Sequence, residues 1–306
     1  MEPAAEIPSP TSLPVPVETR RARPELAGAR RVVVKLGTRV LVDDDGAPRR
    51  DRLMALVASV VALRAEGREV VVVTSGAVAL GRGRLGLSHH PLDPEERRAC
   101  AAVGQAALQA LYQEAFAASG ALTAQVLLTT QDFGPRRRPG LRGTMERLLG
   151  SGVVLVVNEN DAVTVGLEGR RPAFRDNDGL AVLVAVGCRA DALVLLTDVD
   201  GVFALDPRIH PGFPPLDRVD RPGALLARMP LPAAGSQLSR GGMRSKVAAA
   251  ASASRSGCPT VIAAGHEEAV VERVLAGEPL GTLFPIRPRP SWGSVLSILQ
   301  TEENRP

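Results

Sequence analysis

The stretch Arg31-Val32-Val33-Val34-Lys35-Leu36-Gly37-Thr38 reads as a short strand running straight into a glycine turn. Three consecutive valines show no polar–apolar alternation, which is the pattern of a strand covered on both faces in a parallel sheet. Lys35 falls at the carboxyl end of that strand, the edge at which open α/β sheets bind ligands. The residue is informative because it is rare: Lys35 and Lys246 are the only lysines among 37 basic residues. A lysine ammonium is a compact, rotatable point charge and an arginine is a planar fork, so a site needing the first cannot take the second. Both lysines stand in glycine-containing segments, Lys35-Leu36-Gly37 and Gly241-Gly242-Met243-Arg244-Ser245-Lys246.

Outward from this strand the pattern repeats. Residues 69–74, 122–129, 153–157, 192–196 and 260–264 read as further strands, the last of them closing the series. Between them lie helical stretches at 51–67, 93–120, 145–149, 180–186, 247–256 and 267–276. In the first, Leu53, Leu56, Val57, Val60 and Val61 recur at helical spacing, with Asp51 expected as cap and Gly67 as stop. Alternating strands and helices imply an α/β fold, an open and mainly parallel sheet sandwiched by helices. Residues 1–28 are proline-rich and charged without periodicity, so a disordered tail is expected there. Residues 205–239 read as an irregular excursion over the sheet, and residues 286–306 as a C-terminal tail.

Composition removes several classes of function. The 306 residues carry a net charge of only +4, and with one Trp and one Tyr no basic run is interleaved with stacking aromatics. Nucleic acid is therefore not an expected partner, and Arg136-Arg137-Arg138 reads as a solvated loop. Cys100, Cys188 and Cys258 are odd in number and lack metal-ligand spacing, which argues against a disulfide framework and a zinc site. They are expected as small buried hydrophobes. No apolar run is long enough for a membrane span, and the N-terminus lacks a signal-peptide core, so a cytoplasmic location is expected. Neither a nucleophilic triad nor a dinucleotide fingerprint is present, and the glycines before Lys246 do not form a Walker A sequence. Asp43-Asp44-Asp45-Gly46 lacks the remainder of a calcium-binding loop.

What remains is a set of polar clusters at strand ends. Ser75-Gly76-Ala77 joins a strand to a helix whose first N–H groups could hold an anion. Asn158-Glu159-Asn160-Asp161 follows one strand, and Asp176-Asn177-Asp178-Gly179 opens the next helix. Either Asp176 or Asp178 could simply cap that helix. Together, the two clusters could bind an amino acid's ammonium, hydrogen-bond its carboxylate or orient lysines. Tyr112 and Gln105 read as core and surface rather than site.

Val33-Val34-Lys35-Leu36-Gly37-Thr38, Val73-Thr74-Ser75-Gly76-Ala77, Val157-Asn158-Glu159-Asn160-Asp161-Ala162-Val163, Asp176-Asn177-Asp178, Leu196-Thr197-Asp198-Val199-Asp200-Gly201-Val202 and Gly241-Gly242-Met243-Arg244-Ser245-Lys246 occur in the order seen in glutamate 5-kinases. The chain resembles that family from about Arg31 to Phe284. The Thr-Asp-Val-Asp-Gly segment marks only the wider amino acid kinase superfamily, whereas Asn-Glu-Asn-Asp and Gly-Gly-Met point more closely to glutamate as substrate. The resemblance implies an amino acid kinase fold over residues 29–285, with a glutamate-binding lobe at 29–187 and an ATP-binding lobe at 188–285. It implies ATP-dependent phosphorylation of the L-glutamate side-chain carboxylate to L-glutamyl 5-phosphate, the first step of proline biosynthesis.

Carried over by motif, Lys35 and Lys246 correspond to the pair flanking the transferred phosphoryl group, and Asp178 to the carboxylate holding them. Ser75, Gly76, Asn158, Asp161, Asp176 and Asn177 correspond to the glutamate site. Lys35, Gly37, Thr197, Asp198, Gly241, Gly242, Met243 and Lys246 correspond to the ATP site. Magnesium is expected with ATP, held mainly through the phosphates, and no protein-borne metal site is implied. A homo-oligomer, dimer or tetramer, is implied, and a glutamyl phosphate reductase is a candidate docking partner.

The sequence departs from the usual bacterial pattern at several points. Arg175 stands where glycine is usual, Ser239-Arg240 replaces Gly-Thr, and Gly140 falls near a usual asparagine. Arg175, the 99–105 segment and the Asp132-Phe133 region are similar to the kinase half of bifunctional pyrroline-5-carboxylate synthase. The sequence ends before the small PUA domain that many bacterial members append, and it shows no reductase half. Two other readings stay open at this point: a kinase for acetylglutamate or aspartate, and a catalytically weak regulatory protein binding glutamate or proline.

Overall fold

The computed structural model describes residues 21–43, 45–87, 91–163, 176–205, 212–229 and 242–287. In chain order its elements are α1 (Pro24–Ala27), β1 (Arg31–Leu36), α2 (Thr38–Leu41), α3 (Arg50–Ala65), β2 (Glu69–Val73), α4 (Ala77–Arg84), α5 (Pro94–Ala117) and β3 (Thr123–Leu128). A 3-10 turn at Thr130–Phe133 follows, then α6 (Arg138–Gly150), β4 (Val154–Glu159), α7 (Asn177–Gly187), β5 (Ala192–Thr197), α8 (Pro222–Arg228), α9 (Met243–Arg255), β6 (Thr260–Ala264), α10 (Val270–Leu275) and β7 (Thr282–Phe284).

The strands form one sheet in the order β3-β4-β2-β1-β5-β6-β7. All neighbours are parallel except β6 and β7. β1 lies at the centre, with β2 on one side and β5 on the other. The chain reverses its winding direction between β1 and β5, and such a switch point leaves a crevice at the carboxyl ends of the two strands. Register places Lys35 opposite Val73 on β2 and opposite Leu195 on β5.

Side-chain alternation along β1 distributes the core. Val32, Val34 and Leu36 face the layer of α2, α3, α5 and α10. Val33 faces α6, α7 and α9. The two-residue period sends Lys35 to the same side as Val33, so the lysine emerges among α7 and α9 rather than α3. This placement follows from the backbone alone.

The structure corrects several expectations. Asp51 is not the cap of α3; it lies within the first turn, after the non-capping Arg49. Pro139 and Gly140, expected in a loop, open α6, which is more than twice the length read from its apolar residues. Thr260–Ala264 is followed by one more strand, β7, and α8 interrupts the supposed excursion. Residues 21–28 belong to the folded body rather than to a tail. Leu26 is fully buried, and the buried Arg23 guanidinium donates to Asp217 Oδ1 at 2.8 Å and to the Gly281 carbonyl at 3.0 Å. Residues 1–20 and 288–306 lie outside the described residues. All three cysteines are free and buried, as expected.

Candidate active site

The two lysines meet on one carboxylate. Lys35 Nζ lies 2.6 Å from Asp178 Oδ1, and Lys246 Nζ lies 3.1 Å from Asp178 Oδ2. Lys35 rides at the end of β1, Asp178 in the first turn of α7, and Lys246 in the first turn of α9. Asp178 is fully buried and both lysines are nearly so. Burial by itself would push the Asp178 carboxyl up, but the two ammonium groups outweigh it and hold the group below its ordinary value.

Asp176 frames this cluster. It caps α7, accepting from the backbone N–H groups of Asp178 at 3.0 Å and Gly179 at 3.2 Å. Its other oxygen accepts from the Ser245 hydroxyl on α9, so one side chain ties the start of α7, which carries Asp178, to the start of α9, which carries Lys246. Burial, aided by the adjacent Asp178 charge, pushes the Asp176 carboxyl above its ordinary value, against the pull of Ser245 and both lysines.

Beside the lysines, on the β2–β4 side, lies a carboxamide pair. Asn177 Nδ2 donates to the Thr74 carbonyl at 2.7 Å and to Asn158 Oδ1 at 2.9 Å. Ser75 donates from its hydroxyl to the Leu36 carbonyl at 2.9 Å, linking the ends of β1 and β2. Gly76 follows with φ +104°, a left-handed conformation, and a Cβ added there would stand 2.9 Å from Val42 Cγ2. Asp161 sits in the turn after β4. Among the expected glutamate-site residues, Ser75, Asn158, Asp176 and Asn177 are thus brought into one hydrogen-bonded neighbourhood.

On the β5 side, Thr197 ends the strand and donates to Asp198 Oδ1 at 3.1 Å, and Arg39 Nη1 lies 3.5 Å from Asp198 Oδ2. Partial burial pushes the Asp198 carboxyl up, but its own N–H, Thr197 and Arg39 together hold it low. A cleft of about 460 Å³ opens here, lined by Arg39, Arg49, Arg52, Thr197, Asp198 and His266. Neither catalytic-candidate lysine lines it, so it lies beside the lysine pair and not over it. Gly37 precedes α2 next to Lys35, and Gly242 and Met243 open α9. Gly241, Arg175, Ser239 and Arg240 lie outside the described residues. Gly140 is exposed at the start of α6.

Two residues read as ordinary core and surface have more to do. Tyr112 is fully buried and donates its hydroxyl to Thr74 Oγ1 at 2.9 Å. Gln105 is half-buried, and its Oε1 accepts from Asn158 Nδ2 at 2.8 Å. Their helical spacing of seven places both on the inward face of α5, the one signal that could have linked them.

The seven-stranded α/β sheet thus holds a buried lysine–carboxylate–lysine cluster at its switch point, a concentration of positive charge able to balance negative charge on a bound anion. The model of the amino acid kinase family matches residues 30–264, and the chain belongs to that family. The curated relatives it matches include glutamate 5-kinases. That of Symbiobacterium thermophilum is 43% identical over 263 residues, covering 86% of this chain and 98% of the relative. That of Thermus thermophilus is 44% identical over 270 residues, covering 87% and 70%. That of Pelobacter propionicus is 41% identical over 259 residues, covering 83% of this chain and 67% of the relative. Among solved structures, UMP kinase from Bacillus anthracis superposes with a TM-score of 0.59 at 18% identity, covering 84% of this chain and 96% of that one. At that identity the likeness speaks for the fold. No helix among the described residues is long and apolar enough to cross a membrane.

Proposed function

We infer that this chain is a glutamate 5-kinase: it transfers the γ-phosphoryl group of ATP to the side-chain carboxylate of L-glutamate, giving L-glutamyl 5-phosphate, the opening step of proline biosynthesis. The observation that carries the reading is the buried Lys35–Asp178–Lys246 cluster at the sheet's carboxyl edge.

The chemistry suits those groups. A carboxylate oxygen is nucleophilic at neutral pH, so the reaction needs no general base. The barrier lies in bringing two anions together and in balancing charge on the migrating phosphoryl group. In this reading Lys35 and Lys246 supply that charge, and Asp178 aims them by pairing with one at each oxygen. Asp176 acts behind them, setting the angle between α7 and α9 through Ser245. Asn158, Asn177, Ser75, Gly76 and Asp161 form the glutamate pocket within residues 29–187. Thr197, Asp198, Gly37 and the 241–246 segment receive ATP within residues 188–285, where the start of α9 offers N–H groups to phosphate.

Magnesium enters as the nucleotide's companion. In this reading the ion is held mainly through the phosphates. A cytoplasmic homo-oligomer that hands its labile acyl phosphate to a reductase completes the proposal.

The test is an ADP-release assay with glutamate, N-acetylglutamate and aspartate as competing acceptors. Glutamate is expected to be preferred by at least about tenfold in kcat/KM, since a pocket built to pair an ammonium penalises its loss. Equal turnover of N-acetylglutamate, or none of any acceptor, would refute the reading.

A further inference from the structure

The glutamate pocket borrows its hydrogen-bond polarity from α5, a helix that supplies none of the residues assigned to it above. A carboxamide's nitrogen and oxygen have nearly the same shape, so their assignment must come from partners that can only donate or only accept. Two such partners exist here. The backbone N–H of Glu159 can only donate, and it points 2.9 Å to Asn158 Oδ1. The backbone carbonyl of Thr74 can only accept, and it lies 2.7 Å from Asn177 Nδ2.

These two contacts determine the rest. Asn158 must turn its oxygen toward Glu159 and Asn177, which sends its NH2 group inward at a residue only 1% exposed. A buried NH2 needs an acceptor, and Gln105 Oε1 provides it at 2.8 Å. Asn177 in turn spends both N–H bonds, one on Thr74 and one on Asn158. Its remaining polar atom is Oδ1, an acceptor suited to a substrate's ammonium and unsuited to a carboxylate.

We propose that Gln105 is a positioning residue for the amino acid substrate. By accepting from Asn158 Nδ2 it anchors the Asn158 side chain in the orientation that Glu159 and Thr74 select, and so steadies the Asn177 Oδ1 left for the α-ammonium group. The proposal rests on the reading that an amino acid is the phosphoryl acceptor. It assigns Gln105 no contact with that acceptor.

The experiment compares Gln105→Leu, which keeps the bulk and removes the acceptor, with Gln105→Glu, which keeps an acceptor oxygen in the same place. Steady-state constants for glutamate and ATP are measured beside thermal unfolding. Gln105→Leu is expected to raise the KM for glutamate by roughly tenfold, because Asn158 with its NH2 unpaired shifts and no longer steadies Asn177 Oδ1 toward the ammonium, a loss on the scale of one hydrogen bond. Its kcat and its KM for ATP should stay within about twofold of wild type, because the lysine cluster is untouched. Gln105→Glu is expected to recover most of the glutamate affinity. A lost helix contact alone would lower the melting temperature without this split and without rescue. The proposal is overturned if Gln105→Leu leaves the glutamate KM unchanged, or if the two variants raise it equally. Should Gln105→Leu fail to fold, Gln105→Ala carries the same comparison. Wild-type turnover is measured first: its absence refutes the functional reading itself, whereas a normal wild type with an indifferent Gln105→Leu refutes only this inference.

Discussion

Lys246 and Lys35 are bound to opposite oxygens of the same buried carboxylate, at 3.1 and 2.6 Å, although they arise from a helix and a strand far apart in the chain. The strand and the helix thereby bring two ammonium groups to the two oxygens of one side chain. An arginine in either place would retain the charge but present a planar fork too large for a point contact on Asp178. Lys246→Arg is therefore expected to lower kcat by about a hundredfold or more, the usual cost of losing one electrostatic stabiliser of a transition state. Coupled detection of ADP release measures it. Near-normal turnover in folded Lys246→Arg protein would remove the lysine pair from the mechanism.

Asp178 offers a second test, through pH. Its carboxyl lies below its ordinary value of 3.8, so the sign is that of a carboxylate favoured in the folded state. The stabilisation is complete above about pH 4 and is lost as pH falls through the lower folded value. Asp178→Asn leaves two buried lysines without their counter-charge and is expected to cost about 3–5 kcal/mol near neutral pH. Urea unfolding at pH 7 and at pH 3 should show the gap between wild type and Asp178→Asn shrinking on acidification. An equal gap at the two pH values would mean that the carboxylate charge is not what holds the lysines.

The lysine cluster was legible because rarity and strand position both single out Lys35, and glycine context singles out Lys246. Parallel strands were legible because Val32–Val34, Val70–Val73 and Leu193–Leu196 are apolar without alternation. Other parts obeyed contacts that no local pattern announces. Gln105 looks like a surface residue of α5 because its partner, Asn158, is on a strand 53 residues further along the chain. Residues 21–28 look like tail because one arginine, Arg23, docks them by bonds to Asp217 and Gly281, near the far end of the chain. β7 was missed because three residues at an antiparallel edge are too few for periodicity to register. The start of α6 was missed because Pro139 and Gly140 read as a turn, whereas proline is well tolerated in a helix's first turn.

Magnesium dependence separates an ion carried by nucleotide from one lodged in the protein. If magnesium arrives on the nucleotide, as proposed, chelation of the nucleotide-free protein is expected to leave its melting temperature unchanged. Turnover should vanish in excess EDTA and return once magnesium exceeds ATP. A fall in melting temperature on chelation alone would point to a resident metal.

Helix α5 also constrains the site sterically, through Gly104. A Cβ at Gly104 would stand 1.7 Å from the Ala77 carbonyl oxygen, and one at Gly81 would stand 1.8 Å from the Cys100 carbonyl oxygen. Backbone meets backbone at this crossing, so no side chain can yield. Gly104→Ala is expected to destabilise the fold by about 3 kcal/mol, the upper range of overpacking, and to displace Ala77, which begins α4 directly after Ser75 and Gly76. The KM for glutamate should therefore rise with the loss of stability. Gly143 is the contrasting position: it is exposed inside α6 with open space around it, so Gly143→Ala should stabilise by about 0.5–1 kcal/mol through helix propensity alone. Urea unfolding of the two variants measures the contrast. If Gly104→Ala proved as benign as Gly143→Ala, the close crossing of α4 and α5 would not exist in solution, and the placement of Ser75 against β1 would lose its support.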